Sequence, residues 1–255
     1  MDRKNNVAVI TGASSGIGRE FALQIAHSYR NIQEFWLIAR RRDRLEELEH
    51  KLLGRKVRIL EMDLSKEEEL RSFQEILREE EPRVRMLVNA AGFGMIGKMD
   101  RMKYHDCVGM VDVNCRALTA LTYMTLPYMP RQSRIIQMAS SAAFMPQPGF
   151  AVYAASKSYV LSLSRALGSE LKERAITVTA VCPGPVKTEF FDIAETYENV
   201  KLYKKLTMAQ VEKVVRQALV DAAAGKSVSV YGSLMKGFRL LTKFLPADFL
   251  MTFVR

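Results

Sequence analysis

The chain has 255 residues, 48% of them hydrophobic, with 38 Lys and Arg against 28 Asp and Glu, a formal net charge of +10. That is enough apolar material for one sizeable α/β core. The three cysteines (Cys107, Cys115, Cys182) and three histidines (His27, His50, His105) show no metal-ligand spacing, which argues against a disulfide framework and a structural metal.

No apolar run reaches the roughly 18 residues that a membrane-spanning helix needs. The opening MDRKNNVAVITG runs straight into a strand-like segment, so no signal peptide is expected and the cytosol is the expected location. Basic residues mostly alternate with acidic ones, as in RRRDRLEELEHK, the pattern of a solvated surface. No recognition motif or basic–aromatic stripe supports a nucleic-acid partner.

In chain order, the runs NVAVI, EFWLIA, KVRILEM, VRMLVNA, RIIQMAS and AITVTAVC read as buried parallel strands. Helical spacing lies between them: Phe21 and Ile25 with nearby Leu23, then Leu45, Leu48 and Leu52, then Leu70, Phe73, Ile76 and Leu77. Strand and helix in alternation predict a single doubly wound, Rossmann-type α/β domain with helices on both faces of a parallel sheet. Ligands bind such sheets outside the carboxyl ends of the strands. TGASSGIG, ARRR, MDLS, NAAG, MASS and PGPVKT each follow a strand-like run.

The first of these, Thr11-Gly12-Ala13-Ser14-Ser15-Gly16-Ile17-Gly18, combines a tight turn with a helix start, an arrangement suited to a pyrophosphate. The second strand ends about 20 residues later, where an NAD enzyme carries a carboxylate for the adenosine ribose. Here Ala39 stands, followed by Arg40, Arg41 and Arg42. Guanidinium groups pair with the extra phosphate of NADP, so NADP(H) is the expected cofactor. Arg40 is the first candidate for that contact and Arg41 the second; Arg42 is expected to face solvent, and Arg19 is a weaker contributor.

Tyr153 and Lys157 lie four apart in a segment with helical periodicity, on one helix face. A free tyrosine, with a pKa of about 10, is a poor acid–base catalyst at neutral pH. A nearby ammonium stabilises its phenolate. Ser140 ends the strand RIIQMAS and can face the same crevice. Each residue alone has an ordinary structural reading; their joint spacing does not.

Together TGASSGIG, NAAG, Ser140, Tyr153-Ala-Ala-Ser-Lys157 and PG resemble the short-chain dehydrogenase/reductase family, from about residue 6 to residue 190. The resemblance implies a seven-stranded sheet and hydride transfer between a nicotinamide and a carbonyl or alcohol. It implies Ser140, Tyr153, Lys157 and Asn114 as the catalytic set, with Asn114 holding a water that links Lys157 to solvent. It implies cofactor contacts from Gly12, Ser14, Ser15, Gly16, Ile17, Gly18, Arg40, Arg41, Asp63, Leu64, Asn89, Ala90, Ala91, Gly92, Pro183, Gly184, Val186 and Thr188, with Tyr153 and Lys157 shared. Asp63 would bind the adenine amino group, although it also suits a helix cap. Asn89 would stabilise the central sheet beside the cofactor. The family more often has a second Asn where Ala90 stands.

The chain lacks the Asp-Gly-Gly ending associated with the family's tetramers, so a homodimer is the expected assembly. Its ending is similar to that of the ketoacyl-CoA reductase-like and 17β-hydroxysteroid dehydrogenase-like members. Residues 1–233 are read as the catalytic domain, with a substrate loop at about 190–206, and 234–255 as a basic amphipathic tail. Leu234, Phe238, Leu241 and Leu245 share one face of that tail. Three readings of it stay open: packing on the domain or a second subunit over the substrate pocket, peripheral contact with a membrane, or disorder. Phe190, Phe191, Tyr197 and Tyr203, with Gly94, Met95, Ile96, Phe144, Met145 and Pro146, suggest an apolar pocket for an apolar ketone. The competing function is an NADP(H)-binding regulatory protein whose enzymatic activity is incidental.

Overall fold

The computed structural model describes residues 5–198 and 208–252. Seven strands, all parallel, form one sheet: β1 (Asn6–Thr11), β2 (Glu34–Ala39), β3 (Lys56–Glu61), β4 (Arg83–Asn89), β5 (Arg134–Met138), β6 (Thr177–Val181) and β7 (Val228–Ser229). Their order is β3-β2-β1-β4-β5-β6-β7. The chain winds outward from β1 in one direction and from β4 in the other. The crevice between the carboxyl ends of β1 and β4 is therefore the switch point at which such sheets bind ligands.

Helices cover both faces. On one side α1 (Gly16–Ser28), α2 (Arg42–Glu49) and a helix over Val211–Ala223 pack on the sheet through Phe21, Ile25, Leu45, Leu48 and Val215. On the other, α3 (Glu67–Glu80) applies Leu70, Phe73 and Leu77, with Leu121 from the helix Leu118–Thr125. The edge of Trp36 meets Phe73 with ring centroids 6.5 Å apart. Three glutamates open α3, where the positive end of the helix dipole favours them. Leu52 is buried as the periodicity requires, but it lies beyond the end of α2.

The long helix Ala151–Glu170 lies against β6 and carries Tyr153 and Lys157. The tail forms a helix over Ser233–Phe244 and a short one over Ala247–Met251. Met235 and Phe238 turn inward, and Phe238 sits 6.2 Å from the Phe144 ring. The packed face is thus centred on Met235, Phe238 and Thr242. The face inferred from Leu234, Phe238, Leu241 and Leu245 is rotated from it, because Leu234 and Leu241 are exposed. Arg239, beside the packed face, is half-buried.

Candidate active site

The loop after β1 is a backbone device. Gly12 has φ of +65°, and a Cβ there would stand 2.8 Å from the Ala91 nitrogen. A Cβ on Gly18 would overlap the Gly12 carbonyl. Ala91 N–H donates to the Thr11 hydroxyl at 3.0 Å, tying the Asn89–Gly92 turn to the loop. The backbones after β1 and β4 approach this closely only because glycine removes the side chains between them.

Beyond them opens a groove of about 550 Å³, lined among others by Gly12, Ser14, Ser15, Gly16, Ile17, Gly18, Ala90, Ala91, Gly92 and Thr188. Its far end holds Arg40, Arg41, Asp63 and Leu64. The start of α1 faces it, offering a helix N-terminus to an anion. An elongated, negatively charged dinucleotide fits this groove, whose shape depends on the close backbone approach that Gly12 and Gly18 permit.

Arg41 reaches across the groove, donating to the Ser14 hydroxyl at 3.3 Å and pairing with Glu189 at 3.0 Å. Arg41 holds the Glu189 carboxyl below the usual range. Arg42 pairs with Glu46 one helical turn on, exposed as expected. Arg19 stands 3.9 Å from Glu47, its Nε buried without a partner. Burial pushes the Asp63 carboxyl up, but hydrogen bonds from Ser65 and the charge of Arg40 outweigh it and leave the acid lowered. Asp63 accepts from the Ser65 amide at 3.0 Å and hydroxyl at 2.8 Å, bracing the turn before α3.

Asn89 departs from the cofactor assignment. Its amide is buried in the sheet, donating to Thr122 at 3.0 Å and Gln137 at 2.9 Å, so it braces β4 against β5 and does not line the groove. That is the sheet-supporting half of the role the resemblance implied.

The second cluster lies at the end of the groove nearest Gly92 and Thr188. Ser140, just past β5, accepts from the Ala142 amide at 3.1 Å, which fixes its side chain at the start of a 3₁₀ turn. Its hydroxyl lies within hydrogen-bonding reach of Tyr153. The Tyr153 ring stacks on Phe150 at 4.3 Å and tilts against Phe190 at 5.5 Å. Gly94 admits that ring, since a Cβ there would overlap it.

Lys157 Nζ donates to the Met138 carbonyl at 2.7 Å and stands 5.6 Å from the Tyr153 ring centre. Burial pushes the phenol up to about 12 and the lysine down to about 8. The lowering of Tyr153 expected from a neighbouring ammonium is not seen: burial dominates the phenol, opposed by the Ser140 hydroxyl, and burial also dominates Lys157.

Asn114 sits in a π-helical stretch, Asp112–Ala117. Its amide donates to the Phe93 carbonyl at 2.9 Å and to Ser156 at 3.0 Å, and its oxygen accepts from the Phe93 amide at 3.1 Å. Both Asn114 Oδ1 and Lys157 Nζ crowd the space beside Gly92.

A second cavity, of about 350 Å³, adjoins the groove. Ser140, Tyr153, Lys157, Pro183, Gly184 and Val186 line it, as do Ile96, Met145, Phe190 and Phe191. Ile17, Ala90, Gly92, Thr188 and Phe190 belong to both spaces, so groove and cavity meet beside Ser140, Tyr153 and Lys157. Among the described residues that line the cavity, Lys157 is the only charged one.

A profile of the short chain dehydrogenase family matches residues 6–198. The chain belongs to this family. It is an oxidoreductase of the short-chain type, built to use a nicotinamide cofactor on a small molecule. Sulfoacetaldehyde reductase 2 of Chromohalobacter salexigens is 30% identical over 237 residues, covering 89% of this chain and 92% of that protein. A short-chain dehydrogenase from Sphingobium yanoikuyae in complex with NADPH superposes with a TM-score of 0.80 at 28% identity, over 98% of this chain and 96% of that one. A bulky-bulky ketone specific alcohol dehydrogenase from Comamonas testosteroni gives 0.72 at 25%, over 96% of each chain.

Sequence reasoning missed several parts of this short-chain dehydrogenase's site. Glu189 follows Thr188 directly, yet nothing in PGPVKTE announces a partner 148 positions away. Phe150 lines the cavity from a segment read only as helix, while Leu234, Met235 and Phe238 line it from the tail, in keeping with one of the three readings left open for that segment. A Cβ on Gly184 would stand 2.7 Å from the Met235 sulfur, so the tail helix rests on the Pro183-Gly184 turn. Of the expected pocket residues, Phe144 and Met95 support the walls from behind. Tyr197 turns away to hydrogen-bond Asp106. Tyr203 lies outside the described residues, as does part of the expected loop at 190–206.

Proposed function

We propose that the protein is an NADP(H)-dependent carbonyl reductase acting on apolar ketones. The observation that carries this reading is the convergence of Ser140, Tyr153 and Lys157 at the junction between a dinucleotide-sized groove and an apolar cavity.

NADP(H) over NAD(H) is supported by Ala39 in place of a carboxylate and by Arg40 and Arg41 at the groove's end. Arg41, already anchored to Ser14, is the better placed of the two for a bidentate phosphate contact. Gly12 to Gly18 and the start of α1 would hold the pyrophosphate, and Pro183, Gly184, Val186 and Thr188 would flank the nicotinamide.

Ser140 and Tyr153 hydrogen-bond the substrate oxygen, orient the carbonyl and polarise it. The cofactor, when bound, supplies hydride to the carbonyl carbon. Tyr153 gives its phenolic proton to the oxygen as the bond order falls. Lys157 holds the cofactor ribose and presents its charge to the phenol. Asn114, fastened to Phe93 and Ser156, holds the water through which the proton is replaced.

The apolar substrate is supported by the phenyl rings and methionines around the cavity. A sulfonate such as sulfoacetaldehyde would call for a cation beyond Lys157, and among the described residues that line the cavity there is none. The Comamonas enzyme's bulky ketones are a closer chemical match. The regulatory-protein reading gains no observation, because the trio is complete.

An assay of cofactor consumption across ketosteroids, 3-ketoacyl thioesters, aldehydes, quinones and sugar ketones, with NADPH and NADH in parallel, tests the whole. Turnover of bulky ketones with NADPH is expected. Preference for NADH overturns the cofactor assignment, and preference for sulfoacetaldehyde overturns the substrate class.

A further inference from the structure

The tail helix Ser233–Phe244 has two apolar faces, and the domain covers only one. At 100° per residue, Met235, Phe238 and Thr242 point inward while Gly237, Leu240 and Phe244 point directly away, with Leu234 and Leu241 alongside. The outer leucines and phenylalanine are bare: Leu240 is 57% exposed, Leu241 47%, Leu234 66% and Phe244 77%. Four large apolar side chains on one short exposed helix form a patch of the kind that marks a binding surface.

Charge identifies the occupant. Lys236 and Lys243, one heptad apart, stand together along one flank of the apolar strip, and both are exposed. From residue 222 to 247 the sequence holds Lys226, Lys236, Arg239 and Lys243 and no Asp or Glu. A second copy packing the same patch against this one would bring only like charge. An apolar strip bordered by lysines matches instead an interface with hydrocarbon below and anionic headgroups above.

We propose that this helix docks the protein in the plane of an anionic lipid surface. The position of the helix gives that contact a purpose. Leu234 lines the substrate cavity while two-thirds exposed, so it stands at the cavity mouth, and Met235 and Phe238 form the wall behind it. Docking sets the mouth against the apolar layer, where a ketone dissolved in lipid can enter without crossing water. The delivery step rests on the apolar-ketone reading above; the docking does not.

The test uses the full chain with vesicles of phosphatidylglycerol or phosphatidylcholine, and compares it with a Leu240→Ser, Phe244→Ser double variant. Neither substituted residue lines the cavity. Co-sedimentation with the anionic vesicles is expected, falling about 10-fold in the variant and weakening as salt rises. Circular dichroism and turnover of a water-soluble ketone should match between the two proteins. Absence of sedimentation, or sedimentation unchanged by the double substitution, overturns the proposal. So does light scattering that shows the variant dissociating a dimer, since a second copy would then cover the patch. Vesicle binding is read without catalysis, so an inactive protein that still binds lipid refutes only the reductase reading.

Discussion

The cofactor groove and the substrate cavity touch at Ile17, Gly92 and Thr188, yet they are built in opposite ways. The groove is centred on backbone: glycines let the turns after β1 and β4 press together, and its far end is lined by charged side chains, Arg40, Arg41, Asp63 and Glu189 among them. The cavity is made of side chains, chiefly phenylalanine and methionine, brought in by loops after β4, β5 and β6 and by the tail helix. A site built from backbone should fail sharply when altered. A site built from side chains should change its preference instead.

The largest effect belongs to the junction. Tyr153→Phe should lower turnover by about 10²- to 10⁴-fold, the usual contribution of a positioned general acid, while cofactor titration stays near the wild-type value. Unchanged turnover would remove the basis of the proposed mechanism. Because burial raises Tyr153 to about 12, the phenol stays protonated across the working range, and its own ionisation cannot limit reduction below that. Lys157, lowered to about 8, loses its charge as pH rises through that value. The alkaline fall in reductase kcat/KM should therefore centre near 8 and follow the lysine. A limb above pH 10 would assign it to the tyrosine instead.

Gly12→Val comes next. A β-branched residue at φ of +65°, with its Cβ 2.8 Å from Ala91, must displace the turn after β4. Dinucleotide affinity should fall by about 100-fold, equivalent to about 2.7 kcal/mol, as read by fluorescence titration. Phe238→Ala tests the other style of construction. It removes a ring from the cavity wall and from its contact with Phe144. The kcat/KM for bulky apolar ketones should drop by about 10-fold, equivalent to about 1.4 kcal/mol, with cofactor affinity and small-ketone turnover nearly unchanged. Equal losses for large and small ketones would erase the contrast between the two regions.

The same contrast explains what could be read from the sequence. The groove is local: glycine spacing, the Ala39–Arg40 step and the Tyr153–Lys157 interval all lie within a few residues of a strand end, so each leaves a compact pattern. The cavity is not local. Ile96, Phe150 and Phe238 meet from segments far apart, and an aromatic residue in a helix looks the same whether it packs in a core or lines a pocket. The tail's periodicity showed an amphipathic helix, but the expected stripe is rotated from the packed one and shares only Phe238 with it. Leucines on both faces left the 3.6-residue period without a unique direction, and contact with Gly184 and Phe144 decided it. Desolvation was invisible as well, because it depends on what surrounds Tyr153 and Lys157, not on their spacing.

Glu189 offers the smallest and most discriminating measurement. Its pair with Arg41 spans the groove, with about half of each side chain exposed, so the ion pair itself contributes no more than about 1 kcal/mol. Its importance lies in position: the carboxylate occupies the guanidinium proposed to receive the NADP phosphate, and it places a negative charge beside that phosphate. Glu189→Gln keeps the shape and removes the charge. NADPH should then bind about 3-fold tighter, with NADH affinity unchanged, because only the phosphate competes for Arg41. Equal tightening of both cofactors would place the effect on the shared pyrophosphate and move the phosphate contact to Arg40. Weaker binding of both would make the pair a strap that holds the groove in shape.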